Sequence, residues 1–309
     1  SATPASERTT FYCTAYFPKQ FHALRHQYCG GDQDYVESMS RCNKWRPTGG
    51  KSGSSFSRTQ DDRLILKYVK RSEVKMFQEC AMAYFEYMAR ASFRRLPTLL
   101  VKVLGIYQIG WRKANRERKQ QYVIVMPNLF FDRQLSHVFD LKGSSRNRLV
   151  KLKPKDIGRV LLDQNLMECK SYHVSLMADT NGFPVPLYFD SQRILNLSIF
   201  NDTLFLSNLE VVDYSILVGV DNVNHRLTVG IIGTSNEVRC LDYLRQYTWD
   251  ARFETGVKAV GMIAGKSLPT VVEPQLYKMR FHCFHQWPRF REAMERYFVA
   301  SPEQATGVL

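Results

Sequence analysis

Apolar and polar positions follow two different periods along this chain, and each change of period marks an element. Apolar residues at 74, 77, 81, 84, 85 and 88 recur every three or four positions, which predicts a helix over Ser72–Ala91. Arg63–Val69 (RLILKYV) alternates as a strand does, with one cation, Lys67, inside it. Short helices are predicted at Gln20–Gln27 and Asp34–Met39. Strands are predicted at Leu99–Ile109 and Tyr122–Met126, separated by a basic loop, Arg112–Gln121. A loop, strand, helix, strand, strand order predicts a sheet with one packed helix, an α+β arrangement.

After Pro127 the pattern changes. Phe139–Leu141 reads as a short strand, followed by the basic segment Lys142–Lys155. Pro154 suits the first position of a helix running to about Glu168. A short helix is predicted at Asp202–Leu209. Glu210–Val220 and Arg226–Ile232 read as paired strands joined by a turn at Asn222–His225. Helical patterns resume at Tyr243–Val260 and from Pro274 to Phe298, the latter interrupted by Pro288.

Composition narrows the class. With 309 residues, 44% of them hydrophobic, the chain is a folded protein of two lobes or domains and not a disordered one. Its 43 Lys and Arg against 29 Asp and Glu give a net charge of +14, which points to a polyanionic partner: nucleic acid, nucleotide or an anionic membrane face. The seven cysteines are scattered without a C-x-x-C pair, so neither a disulfide framework nor a zinc ribbon is signalled. No stretch reaches the roughly 20 apolar residues of a membrane span, since Lys102 breaks the best candidate. The polar residues 1–9 read as a linker, and the chain as part of a larger protein.

Four places carry candidate chemistry. Gly50-Lys51-Ser52 resembles the end of a Walker A loop, but Trp45 stands where that pattern needs glycine, and a strand follows where it needs a helix. A Gly/Ser flap over nucleotide phosphates and a solvated turn both remain open for this stretch. Lys67 shares its strand face with Ile65 and Val69, so its ammonium either meets a partner or snorkels to an edge. The partners within reach in a phosphate-binding reading are Glu73 and Glu79 on the next helix. Asp140–Arg148 (DLKGSSRNR) crowds Lys142, Arg146 and Arg148 around a glycine turn, chemistry suited to phosphate, or a solvated charge run. Asp213 lies in the apolar run Val211–Leu217, where a carboxylate is costly without a metal, a proton or a partner.

Taken in order, these segments resemble the phosphatidylinositol phosphate kinases, and most closely their type III branch, the PIKfyve family, from about Thr10 onward. Gly49–Phe56 resembles the nucleotide loop, with Gly50, Lys51, Ser52 and Gly53 on the phosphates. Asp61–Lys67 resembles the strand of the ATP lysine, with Glu73 as its carboxylate. Val125–Phe130 resembles the linker under adenine (Met126, Asn128, Leu129), Phe139–Arg148 contains the DLKGS signature, and Asp213–Gly219 matches the stretch that carries the catalytic aspartate. Asp242–Asp250 and Pro269–Val272 are similar to the type III branch, with an activation loop at about 251–273 between them. The protein-kinase signatures H-R-D, D-F-G and A-P-E are absent from the sequence.

The resemblance implies a two-lobed fold, an antiparallel sheet with packed helices distantly like protein kinases, with lobes at 10–127 and 128–309. It implies ATP and Mg²⁺ as cofactors and phosphatidylinositol 3-phosphate as the lipid, phosphorylated at the 5-position. Lys67 would hold the α- and β-phosphates, Lys142 the γ-phosphate, and Asp213 the inositol hydroxyl. Arg146 and Arg148 would contact the substrate, and Asp242 the metal. The implied partners are an anionic phosphoinositide membrane and scaffold proteins reached through the rest of a larger chain, with no nucleic acid. The implied place is cytoplasmic, peripheral on endosomal or vacuolar membranes.

Three departures from the family pattern stand out, one of them the stretch Lys170–Val185, which is longer than in relatives. Nine residues, Gly233–Leu241, intrude between Ile232 and Asp242, and a second intrusion covers His282–Phe290. Each reads either as a real loop or as unspliced intron sequence. At about 3.3 Å per extended residue, the first would carry Asp242 out of coordination range unless it loops back. His282, Cys283 and His285 in the second lack a fourth ligand at zinc spacing. Two other readings therefore stand beside the type III kinase. One is a phosphoinositide kinase of different specificity (4-phosphate 5-kinase or 5-phosphate 4-kinase). The other is a catalytically impaired phosphoinositide-binding module.

Overall fold

The structure, a computed structural model, describes residues 9–45, 55–113, 117–144, 147–151, 158–167, 189–221, 223–224, 226–233 and 272–282. Gly50, Lys51, Ser52, Gly53, Arg146, Pro154, Asp242, the stretch Lys170–Val185, the helix expected at Tyr243–Val260, residues 251–271 of the activation loop and nearly all of both intrusions lie outside them. The described residues belong to two compact units. The first draws on Ser1–Arg46, Ser52–Glu79 and Lys102–Phe131, the second on Pro47–Lys51, Cys80–Val101 and Asp132–Leu309.

The first unit is built on a six-stranded sheet of β1 (Thr10–Tyr16), β2 (Cys42–Trp45), β3 (Phe56–Thr59), β4 (Leu64–Val69), β5 (Gly105–Arg112) and β6 (Arg118–Pro127). Its spatial order is β1-β5-β6-β4-β3-β2, with every neighbouring pair antiparallel. Alternation sets the two faces. Leu64 and Leu66 of β4 join Val123 and Val125 of β6, Leu104 and Tyr35 in a buried cluster. Ile65 and Lys67 project to the other face, opposite Met126 and Ile124. Helices α1 (Pro18–Tyr28) and α2 (Asp32–Met39) pack on the Leu64–Leu66 face, where Tyr35 of α2 joins the cluster and Tyr28 of α1 lies against it, and Pro18 begins α1 where its missing N–H costs nothing. Arg25 of α1 ties them together, donating to Asp32 Oδ1 at 2.5 Å and to the Leu104 carbonyl at 2.8 Å. Helix α3 (Arg71–Phe93) begins in this unit and puts Phe77 on Phe21, ring centroids 6.0 Å apart.

The second unit holds β7 (His137–Leu141), β8 (Leu161–Leu162), β9 (Tyr214–Asp221) and β10 (Arg226–Gly233), in the order β10-β9-β7-β8. All pairs are antiparallel except β7 with β8, which run parallel. Around them lie α4 (Asp163–Met167), α5 (Phe189–Asn208) and α6 (Pro274–His282). Asp202 of α5 is fully buried. It accepts hydrogen bonds from Tyr87 Oη at 2.6 Å, Thr98 Oγ1 at 2.7 Å and the Leu99 amide at 2.6 Å. Leu99–Val101 then runs beside β10, where the Val101 amide donates to Ile231 O and the Ile231 amide to Leu99 O.

The α+β expectation is met by these sheets and helices, but several boundaries move. The strand expected at Leu99–Ile109 is Gly105–Arg112, while Leu99–Val101 bonds instead to Ile231 of β10, so one apolar run serves two partners. In the basic loop expected over Arg112–Gln121, Arg112 and 118–121 are strand: Gly110↔Gln120 and Arg112↔Arg118 pair through backbone bonds that tolerate polar side chains. Residues 158–162 are not helical, Gly158 having φ +75°, so the helix expected from Pro154 is confined there to Asp163–Met167. The helix expected at Asp202–Leu209 starts at Phe189, its period blurred by exposed Ile194, Leu197 and Phe200. Asp213 precedes β9 instead of lying within a strand, and its φ of +64° is left-handed. Strands β1, β2 and β3 were not expected from the pattern.

Candidate active site

In the first unit the candidate chemistry centres on Lys67. Strand β4 is interior, so Lys67 has Phe56 on one side and Ile124 on the other, and it is fully buried. An ammonium there needs an anion. The chain supplies one six residues on. Glu73 stands in the first turn of α3, and its Oε1 lies 3.5 Å from Lys67 Nζ. Its other oxygen, Oε2, accepts the Lys70 amide at 2.6 Å. Glu73 thus both closes the start of α3, as a capping-box glutamate does, and faces the buried lysine. Glu79, the other acid considered, lies further along the helix.

The segment expected under adenine is fixed from its side chains. Met126 is buried, paired with Ile65 across β4 and β6. The Asn128 amide donates to Arg63 O at 2.8 Å, and Asn128 Nδ2 donates to Asp62 O at 2.9 Å. Asn128 Oδ1 accepts from the Phe130 amide. That side chain binds the protein's own β3–β4 turn, and Leu129 beside it is half-buried.

In the second unit the register itself creates a site. Strand β7 runs antiparallel to β9 with Leu141 opposite Ile216, so the residues after β7 lie beside those before β9. Lys142 and Asp213, 71 positions apart, meet there with Nζ 2.5 Å from Oδ1, their side chains 3% and 8% exposed. Breaking a pair so buried costs about 3–5 kcal/mol, because the remaining charge is left in low dielectric. The left-handed φ of Asp213 costs roughly 1–2 kcal/mol, the kind of local strain that collects at functional corners.

Four further residues frame the pair, Asp163, Arg148, Arg280 and Tyr277, and of these the sequence pointed only to Arg148. Asp163 Oδ1 accepts the consecutive amides of Lys142, Gly143 and Ser144 at 3.0, 2.8 and 3.3 Å. Arg148, which the resemblance assigns to substrate, donates from Nε to Asp163 Oδ2 at 2.7 Å and from Nη2 to Asp140 Oδ1 at 2.8 Å. Burial opposes the Arg148 charge, and the Asp140 and Asp163 carboxylates outweigh it, raising its pKa. Burial likewise pushes the Asp163 carboxyl up, against the pull of Arg148 and of the Lys142 amide. Arg280 of α6 is buried against the same turn, its Cβ 3.0 Å from where a side chain at Gly143 would begin. From α6, Tyr277 also donates its hydroxyl to the Tyr214 carbonyl at 2.6 Å, fixing the residue after Asp213. The sequence signal for Asp163 was its place directly after the apolar Val160–Leu162, where an acid opens a helix instead of interrupting one.

Among the described residues the charges gathered here balance: buried Asp140, Asp163 and Asp213 against buried Lys142 and Arg280 and the partly buried Arg148. Among the described residues no three His, Cys, Asp or Glu side chains assemble as a metal site. Magnesium needs only one or two carboxylates beside phosphate oxygens and water. A buried carboxylate next to a lysine, at the mouth of a tight glycine turn, is suited to hold a hydroxyl and a phosphate together.

A family model described as phosphatidylinositol-4-phosphate 5-kinase matches residues 39–237, an interval that includes Lys67, Glu73, Lys142, Asp163 and Asp213. The 1-phosphatidylinositol 3-phosphate 5-kinase of Saccharomyces cerevisiae is 40% identical over 300 residues, 96% of this chain and 12% of that protein. The protein of the same name from Homo sapiens is 40% identical over 308 residues, 96% of this chain and 13% of the relative. A putative 1-phosphatidylinositol-3-phosphate 5-kinase of Arabidopsis thaliana is 39% identical over 312 residues, 99% of this chain and 17% of the relative. The chain therefore spans only a small part of the length of these relatives. On the extent of the matched interval and the signatures inside it, the chain belongs to the phosphatidylinositol-4-phosphate 5-kinase family.

Proposed function

We propose that this chain is an ATP-dependent lipid kinase that phosphorylates phosphatidylinositol 3-phosphate at the 5-position, yielding phosphatidylinositol 3,5-bisphosphate and ADP. The observation that carries the reading is the buried Lys142–Asp213 pair, held where β7 ends and β9 begins within the family-matched interval. The names of the relatives support the choice of lipid.

The roles follow from the chemistry of each group. An ammonium has three N–H donors, so Lys142 can keep Asp213 and still donate to a γ-phosphate oxygen. Asp213, anchored through Oδ1, orients the inositol hydroxyl and takes its proton as the new O–P bond forms and the bond to ADP breaks. Lys67, steadied by Glu73, holds the α- and β-phosphates, with Met126, Asn128 and Leu129 beside the base. Gly50, Lys51, Ser52 and Gly53 cover the phosphates, and Arg146 contacts the lipid headgroup. Asp242 is the carboxylate for Mg²⁺, which when bound neutralises charge on the phosphoryl oxygens. The lobes are 10–127 and 128–309.

The lipid lies in a membrane, and the chain's charge suits that setting. No described helix is long and apolar enough to cross a bilayer. A net charge of +14, with Arg112, Arg118 and Lys119 exposed on the β5–β6 hairpin, favours an anionic surface at about 1 kcal/mol per basic residue near it. Peripheral attachment to endosomal or vacuolar membranes, with scaffold proteins bound through the rest of a longer protein, completes the proposal.

The test is phosphoryl transfer from labelled ATP to vesicles carrying each monophosphorylated phosphoinositide, with the product's ring position determined. Transfer to the 3-phosphate at position 5, lost in Asp213→Asn while vesicle binding persists, is expected. Transfer only to the 4- or 5-phosphate would replace the lipid assignment. The second reading, an impaired binding module, is favoured by the intrusion Gly233–Leu241 before Asp242. It predicts binding without turnover, and turnover gained on deleting 233–241.

A further inference from the structure

We propose that Asp163 and Arg148 form a positioning pair that shapes the Lys142 turn, and that Arg148 is not a phosphate ligand; this rests on the lipid-kinase reading of the same site. Asp163 is 1% exposed, and a carboxylate so buried is retained only where its acceptors are used. One oxygen is used on three consecutive backbone amides, Lys142 to Ser144, and the other on Arg148 Nε.

Consecutive amides converging on one point make an anion-binding concavity. Here the anion is a side chain of the protein, so the concavity is filled before any substrate arrives. What remains for substrate is the Lys142 ammonium, directed at Asp213 by the curl of the turn. Gly143, at φ +64°, supplies that curl without a Cβ to meet Arg280.

Arg148 holds the arrangement from outside. Its Nε and Nη2 bridge two carboxylates whose side chains are 1% and 8% exposed, and Nη2 also donates to the Asp140 carbonyl. To turn Nε or Nη2 to a phosphate, Arg148 would have to leave a buried, charged acid, so the edge of the guanidinium that these acids hold is closed to substrate. The Gln164 amide donates to Arg148 O at 2.9 Å, which fixes the backbone of the two partners as well. Strand β7, the turn after it and the start of α4 are thereby locked into one frame around Lys142.

Three variants separate positioning from bulk stability and from phosphate binding. Asp163→Asn keeps an acceptor for the amides but sets an NH₂ against Arg148. Asp163→Asn with Arg148→Gln replaces the ion pair by an amide pair. Asp163→Ala removes the acceptor. Expected for Asp163→Asn is a kcat lower by about 100-fold with KM for ATP within about threefold, the scale of a reacting group misplaced by about 1 Å. The amide-pair double variant recovers about tenfold of that kcat. Were Arg148 a phosphate ligand, the double variant would be worse than Asp163→Asn and its lipid KM would rise, which overturns the proposal. So would a wild-type kcat in Asp163→Asn, or losses that merely track the unfolded fraction at the assay temperature.

Hydrogen exchange provides a readout that needs no turnover. In Asp163→Ala the amides of 142–144 lose protection while those of β7 and β9 keep theirs; unchanged protection at 142–144 also overturns the proposal. If the wild-type chain transfers no phosphoryl group, the lipid-kinase reading fails, and exchange alone then decides whether Asp163 shapes the turn.

Discussion

Glu73 performs two tasks with two oxygens, and substitution can separate them. Oε1 faces Lys67 at 3.5 Å and Oε2 accepts the Lys70 amide at 2.6 Å. At an effective dielectric of 20, opposite charges 3.5 Å apart attract by about 5 kcal/mol before solvation is counted. The Glu73 side chain is 25% exposed, so screening and desolvation reduce the useful part to about 2 kcal/mol, between exposed and fully buried pairs. Glu73→Gln keeps an acceptor for the cap and removes the charge. It should weaken ATP binding by about 30-fold, the equivalent of about 2 kcal/mol, and also lower Tm, because the buried Lys67 loses that charge. Glu73→Ala removes both functions. It should weaken ATP to a similar degree and also lose about 1 kcal/mol of helix cap, roughly 2–4 °C in Tm. Equilibrium ATP titration and thermal unfolding on the three proteins measure this. Undiminished ATP affinity in Glu73→Gln would refute the pairing argument, and equal Tm for the two variants would refute the cap.

Other expectations follow from the described geometry. Gly143→Ala should lower Tm and slow phosphoryl transfer, since left-handed alanine costs about 1 kcal/mol and its methyl would press on Arg280 Cβ at 3.0 Å; a wild-type rate and Tm would contradict this. Asp202→Ala takes the acceptor from three partly buried donors and should cost roughly 2–4 kcal/mol in denaturant unfolding, with Asp202→Asn milder. Burial holds the His137 imidazole below its ordinary pKa of 6.5, so the unfolded chain takes up a proton that the fold refuses. Stability should therefore be level above that pH and fall as pH drops toward the depressed value, a slope that His137→Gln should flatten.

The elements legible from the pattern were those in which burial and period coincide. Helix α3 and strands β4, β9 and β10 each bury a face, so apolar spacing declared them. Strand β1 is mostly exposed on both faces, and β2 is a short edge strand, so neither carries a period. The β5–β6 hairpin hid its outer half because Arg112 and Arg118 pair through backbone, not through apolar contact. At the site, the Lys67–Glu73 partnership was within reach because strand and helix are adjacent in sequence. The Lys142–Asp213 contact spans 71 positions and depends on β-register, which no local pattern encodes. Asp163 was missed because it was assigned to the interior of a longer helix, where its oxygens would have faced solvent.

Leu99–Val101 has a consequence for how the protein behaves in a crowd. Strand β10 ends the second sheet, and an open strand edge invites a second molecule to add itself. At Ile231 that invitation is withdrawn, because both its amide and its carbonyl are already bonded to Leu99–Val101. That segment is moored in turn by the Leu99 amide on Asp202. A carboxylate bonded only within the fold's own frame thus guards against self-association: when its hold weakens, molecules should begin to stack edge to edge at temperatures where each is still folded.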